Sequence, residues 1–135
     1  MEEFYSKGYV CYLRASQMND LIEKSVYDEH ELGVLKKIAS AYEKIQGEYD
    51  SKIYNSDNGL KMHLSLFSNE MFITYVQTKE SDVGLMQEQL KRVLDEVRQV
   101  VSFFQNEKVA LGGGISYDKV FHRGNINIGP AVVKA

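Results

Sequence analysis

The sequence predicts an α+β domain with its elements in the order β-α-α-β-β-α-β-β. Short runs rich in aromatic and β-branched residues recur at 8–13, 60–67, 71–76 and 109–116. Two long segments, 31–49 and 82–106, carry apolar residues at three- and four-residue spacing. Two of the strand-like runs are separated only by Ser68, Asn69 and Glu70, which reads as an antiparallel hairpin.

The first run, GYVCYL, is apolar on both faces and suits a strand near the middle of a covered sheet. Ser16 offers a helix N-cap, and Met18, Leu21, Ile22 and Val26 follow at helical spacing. The 31–49 helix takes its stripe from Leu32, Leu35, Ile38, Ala39, Tyr42, Ile45 and Tyr49. Asn55, Ser56, Asp57, Asn58 and Gly59 then form a turn signal. After the hairpin, Ser81 or Asp82 can cap a helix with the stripe Val83, Met86, Leu90, Val93, Leu94, Val97, Val100, Val101 and Phe104. The 109–116 strand contains Gly112, Gly113 and Gly114, and glycine inside a strand marks close approach of another backbone or a ligand. Residues 120–122 and 126–128 read as strand pieces around a turn at Arg123, Gly124 and Asn125. Pro130 suits a first helical turn, so a last helix starts there.

The 135 residues fit one domain, 1–135, with one two-layer core. With 44% hydrophobic and 26% charged residues the chain falls in the soluble globular class. A net charge of -3 supplies no basic field, so neither nucleic acid nor an anionic membrane is an expected partner. The single cysteine, Cys11, excludes an internal disulfide framework and fits a reducing cytoplasm. The acidic first residues do not read as a secretory signal, and no apolar run is long enough to span a membrane.

The most informative segment is 112–135, GGGISYDKVFHRGNINIGPAVVKA. Its Gly113-Gly114-Ile115-Ser116, Phe121-His122, Asn125-Ile126 and Gly129-Pro130-Ala131 match, in order and spacing, a segment of the class III nucleotide cyclases. The closest resemblance is to the bacterial group that includes the cyclic-pyrimidine cyclases of antiphage defence. Tyr9 to Leu13 and Met18 to Ile22 resemble that group's first strand and helix start. The resemblance implies a ferredoxin-like core with a central, mainly antiparallel sheet, and a chain lacking the C-terminal part of the family's domain.

The resemblance also implies which functions are missing. Class III cyclases hold two Mg²⁺-type ions on two aspartates, which activate the ribose 3′-oxygen and neutralise the triphosphate. Here the first position aligns with Arg14, a cation, and the second with Asn69, which offers an oxygen without charge. Asp20 and Glu70 are displaced carboxylates that would have to substitute as ligands, and strand alternation places Glu70 on the face opposite to Asn69. The family's catalytic asparagine aligns with Val133, and its arginine would lie beyond Ala135. The base-recognition position aligns with Ser65. The expectation is a catalytically degenerate domain that needs no cofactor. It would act by binding, as a homodimer or a heterodimer with a related cyclase domain, as regulator or decoy in cyclic-nucleotide signalling.

Two alternatives stay open. An active cyclase would use Mg²⁺ or Mn²⁺ on Asp20 and Glu70. A metal-free nucleotide sensor would use Arg14, Ser65, Gly113 and Gly114. Arg14 could instead pair with Glu70 or Asp20 as a salt bridge filling the old metal pocket. The glycine triplet is followed by strand-like residues, so it does not read as a phosphate loop. His30, His63 and His122 are isolated, with His30 at or before the start of the second helix, and form no metal-ligand spacing with Cys11. Cys11 itself reads as a buried, inert strand residue. Lys36, Lys37, Lys44, Lys91 and Arg92 read as solvated helix surface.

Overall fold

The computed structural model describes residues 4–52, 59–79, 82–123 and 126–135, with backbone alone at 48–52, 122–123 and 126–128. The elements are β1 (Ser6–Arg14), α1 (Met18–Ser25), α2 (Glu29–Lys52), β2 (Leu60–Phe67), β3 (Glu70–Gln77), α3 (Val83–Asn106), β4 (Gly112–Arg123), β5 (Ile126–Ile128) and α4 (Pro130–Lys134). The strands form one sheet in the order β2-β3-β1-β4-β5, with every neighbouring pair antiparallel. Thus β1 and β2 run parallel on either side of β3, an arrangement compatible with a ferredoxin-like α+β fold.

Alternation along β1 sets the two faces of the sheet. Tyr9, Cys11 and Leu13 join Leu60, Met62, Met71, Ile73 and Tyr75 in the main core, which α1, α2 and α3 close with Met18, Ile38, Val93, Val100 and Phe104. On the other face Val10, Val120 and Ala131 form a small second cluster under α4. The apolar character of β1 on both faces is thereby explained.

Several local details differ from the sequence expectation. Gln17, not Ser16, stands at the N-cap of α1, and it makes no side-chain cap hydrogen bond. The second helix starts two residues earlier than 31, because Asp28 Oδ1 accepts from the His30 backbone N–H at 2.9 Å, so His30 lies within the helix. Ala39 is exposed and Ala41 is buried in its place, a drift expected of a 3.6-residue period over a long helix. The expected strand at 109–116 and the piece at 120–122 merge into one continuous β4, 112–123, which begins after the expected Val109 start, while 126–128 forms the separate β5 as expected. The turn residues 55–58, Ser81, Gly124 and Asn125 lie outside the described residues.

Helix α3 is fixed at both ends. Asp82 caps its start, its Oδ1 accepting from the Leu85 N–H at 2.7 Å. Its end is a Schellman motif: Lys108 N–H reaches the Gln105 carbonyl at 2.9 Å, and Val109 N–H reaches the Phe104 carbonyl at 2.9 Å. Buried Val109 is thereby brought to Phe104, the apolar contact that accompanies this motif. Lys108 occupies the left-handed position with φ 60°. A left-handed residue with a Cβ costs about 1 kcal/mol or more relative to glycine. Lys108→Gly is therefore expected to raise stability by about 1 kcal/mol, read as a higher urea midpoint at unchanged slope.

Between its ends α3 carries polar groups into the core. Gln89 and Glu96 are buried. Gln77 Nε2 donates to Gln89 Oε1 at 2.9 Å, and the Tyr75 hydroxyl donates to Glu96 Oε2 at 2.6 Å. Arg92 Nε reaches Glu96 Oε1 at 3.3 Å. Arg92 is thus half-buried and paired, not solvated surface, because buried Glu96 requires a compensating cation. These bonds set the axial position of α3 on β3.

Candidate functional site

Arg14 and Asn69, which the resemblance sets at the cyclase metal positions, lie at one end of the sheet, where β1 leaves it and the β2–β3 hairpin turns. Arg14 is the last residue of β1, placed opposite Glu70 of β3 and Gly112 of β4. Asn69 sits in the two-residue hairpin loop beside Ser68, whose φ is 52°. The Asn69 carbonyl accepts from Ala15 N–H at 2.9 Å, and its side-chain amide reaches the Ala15 carbonyl at 3.5 Å. Asn69 is therefore a clasp between the hairpin and the exit of β1.

Glu70 lies on the face that carries Tyr12 and Phe72, opposite to the core. Its Oε1 accepts from the Tyr12 hydroxyl at 3.1 Å, and the Tyr12 and Phe72 rings are 4.9 Å apart at 41°. Burial of its phenol and this bond to Glu70 push the Tyr12 hydroxyl above its ordinary pKa, partly offset by nearby Arg14. The expected salt bridge does not form, because Glu70 is engaged by Tyr12: Arg14 makes no ion pair with a described residue. Asp20 also turns elsewhere, pairing with Lys24 at 3.0 Å on the exposed side of α1. The structure therefore brings Arg14 and Glu70 together at one end of the sheet and leaves Asp20 occupied on α1.

The four candidate nucleotide contacts divide. Arg14, Ser65 and Gly114 share the open face, with Ser65 opposite Phe72 and Gly114 opposite Tyr12. Gly113 lies on the other face, opposite Leu13. A Cβ there would lie 1.7 Å from the Tyr12 carbonyl oxygen, so its glycine is required by the approach of β1. All three glycines are strand residues of β4, which agrees with the absence of a phosphate loop.

Helix α4 covers only part of this face. It lies on β4 and β1, where the Ser116 hydroxyl donates to the Ala131 carbonyl and Lys134 pairs with Asp118. That lysine holds the Asp118 carboxyl below its ordinary pKa. Val133, which the resemblance sets at the catalytic asparagine's position, is 86% exposed. His63 is half-buried, and the His122 side chain lies outside what is described. Cys11 is buried with its thiol pushed up to about 12 by desolvation, which keeps it protonated and inert.

Sequence reasoning missed one further feature. Val83 and Leu90 of the expected α3 stripe are exposed, and with Tyr9, Met86, Ile115 and Tyr117 they line an open apolar cleft of about 470 Å³. The cleft exists because the helices lie over β1, β2 and β3 and leave the same face of β4 uncovered. Only the sheet order, which periodicity does not carry, reveals this.

No protein-family model, no curated protein and no solved structure matches the chain. Among the described residues, no helix is long and apolar enough to cross a membrane.

Proposed function

We propose that this chain is a non-catalytic domain of the nucleotide-cyclase type. It acts by binding, as a regulator or decoy that takes the place of a protomer against a related cyclase domain or a second copy of itself. One observation carries the reading: Arg14 and Asn69 stand at the two aligned metal positions, and the nearest carboxylate, Glu70, is engaged by Tyr12. A guanidinium repels a divalent cation, and a neutral amide does not restore the charge that such an ion needs. The partner surface is the uncovered part of the sheet, where Phe67 at the hairpin tip is 79% exposed on the face that also carries Tyr12 and Phe72. Aromatic side chains on an open, framed surface are suited to interfaces.

The test is light scattering after size exclusion, on the chain alone and mixed with an active class III cyclase. A defined dimer, homotypic or mixed, is expected, weakened by Phe67→Asp. A monomer under both conditions would overturn the docking reading.

A further inference from the structure

We infer that the groove between α2 and α3 is a docking site for an acidic peptide segment that carries an apolar side chain. The groove lies in the helix layer, on the side of the sheet opposite to Phe67, so the inference goes beyond the docking surface proposed above.

Three observations converge on this place. Lys36, Lys37 and Lys44 of α2 are exposed and line an open cavity of about 410 Å³ with Ser40, Phe103 and Glu107. Their spacing of seven and eight residues, close to two helical turns, puts the three lysines on one stripe of α2. None of the three makes an ion pair with a described residue. Phe103 of α3 is 37% exposed in the same groove, and its ring is set at 5.7 Å and 80° against buried Phe104. Phe104 in turn packs on Tyr42 of α2, which fixes the two walls against each other.

The chemistry of these groups selects the partner. Three ammonium groups stand against one carboxylate, Glu107, in a chain of net charge -3. The groove is thus a positive patch on an acidic protein, and complementary charge steers and orients an anionic partner. Lys36 and Lys44 are about 12 Å apart along the helix axis. A lone phosphate reaches only one of them, so the partner must carry negative charges spread over that distance. Phe103 calls for an apolar group among those charges, and the lysine stems extend the apolar floor while their heads stay in water. A peptide with acidic residues around a leucine or phenylalanine meets both demands. A nucleic-acid strand, charged uniformly along its length, does not. It would run past the patch onto Glu29 and Glu31 in the first turn of α2, or onto Asp95 on the far side of Phe103.

Panning a random twelve-residue phage-displayed peptide library on the immobilised chain tests the inference. Enriched peptides are expected to carry several aspartates or glutamates around at least one large apolar residue. A labelled synthetic copy, titrated by fluorescence anisotropy, should bind about tenfold or more weakly to the triple variant Lys36→Gln, Lys37→Gln, Lys44→Gln, which removes three exposed charge contacts. Phe103→Ala should weaken it as well. Exposed substitutions of this kind leave the thermal midpoint of the triple variant near that of the parent chain. Raising NaCl from about 50 mM to about 500 mM should weaken binding too, since exposed charges are then screened. Enrichment without acidic residues, no enrichment at all, or an affinity that survives the triple variant overturns the site. Equal binding of an eight-nucleotide oligo(dT) would show an unselective anion field and overturns it too. Any of these failures leaves the cyclase-type docking reading standing, because that is read from the oligomeric state and from Phe67→Asp.

Discussion

Gly113→Ala is expected to cost about 4 kcal/mol or more, the size reserved for backbone clashes and lost cores. The added methyl would lie 1.7 Å from the Tyr12 carbonyl oxygen and 3.1 Å from the Leu13 Cα, so it meets backbone and not a side chain that can rotate. Relief requires β1 and β4 to separate, and β1 is the central strand of the sheet. Single domains are stable by only about 5–15 kcal/mol. The variant should therefore unfold at a much lower urea concentration or fail to accumulate as folded protein. Gly112→Ala is the control: with nothing within 4 Å of its Cβ, it should leave the urea midpoint nearly unchanged. Equal midpoints for the two variants would show that β1 and β4 do not approach in this way.

Phe104→Ala has the second largest expected effect, about 3–5 kcal/mol. Phe104 is fully buried, and its ring lies 5.3 Å from Tyr42 of α2 and 5.7 Å from Phe103. Its carbonyl also accepts the Val109 N–H that closes α3. Truncation removes the contact between α2 and α3 and opens a cavity, while the backbone bond stays available. The loss should appear as a lower denaturant midpoint and as faster hydrogen exchange at the C-terminal end of α3. Phe103→Ala, at a neighbouring position 37% exposed, should cost far less.

These effects illustrate what the sequence could and could not disclose. Element identity was legible because apolar spacing is a local property: the β2 run 60–67 and the end of α3 at Asn106 appear in the structure as expected. The close backbone approach at Gly113 was legible for the same reason, since glycine within a strand has few physical uses, although Gly112 beside it is open. Pairwise geometry was less accessible. Glu70 begins β3 while Asn69 stays in the hairpin loop, and alternation could not show that Tyr12 would engage the Glu70 carboxylate and leave Arg14 without an ion pair among the described residues. That outcome depends on the register between β1 and β3, which brings Arg14 opposite Glu70 and Tyr12 opposite Phe72. The exposure of Val83 and Leu90 depends in turn on where α3 lies over the sheet. The buried pairing of Arg92 with Glu96 had a sequence signal, an i,i+4 spacing, but nothing local marked Glu96 as buried.

The measurement that tests the central claim most directly is a search for cyclic mononucleotide products. The chain is incubated with each of the four nucleoside triphosphates, with Mg²⁺ and with Mn²⁺, at stoichiometric protein concentration. The account predicts no product in any combination, because on the proposed cyclase-type reading Arg14 and Asn69 take the places of the two metal-binding carboxylates. A metal-dependent cyclic product that disappears in Glu70→Gln would contradict it, and would make Glu70 a metal ligand of an active cyclase.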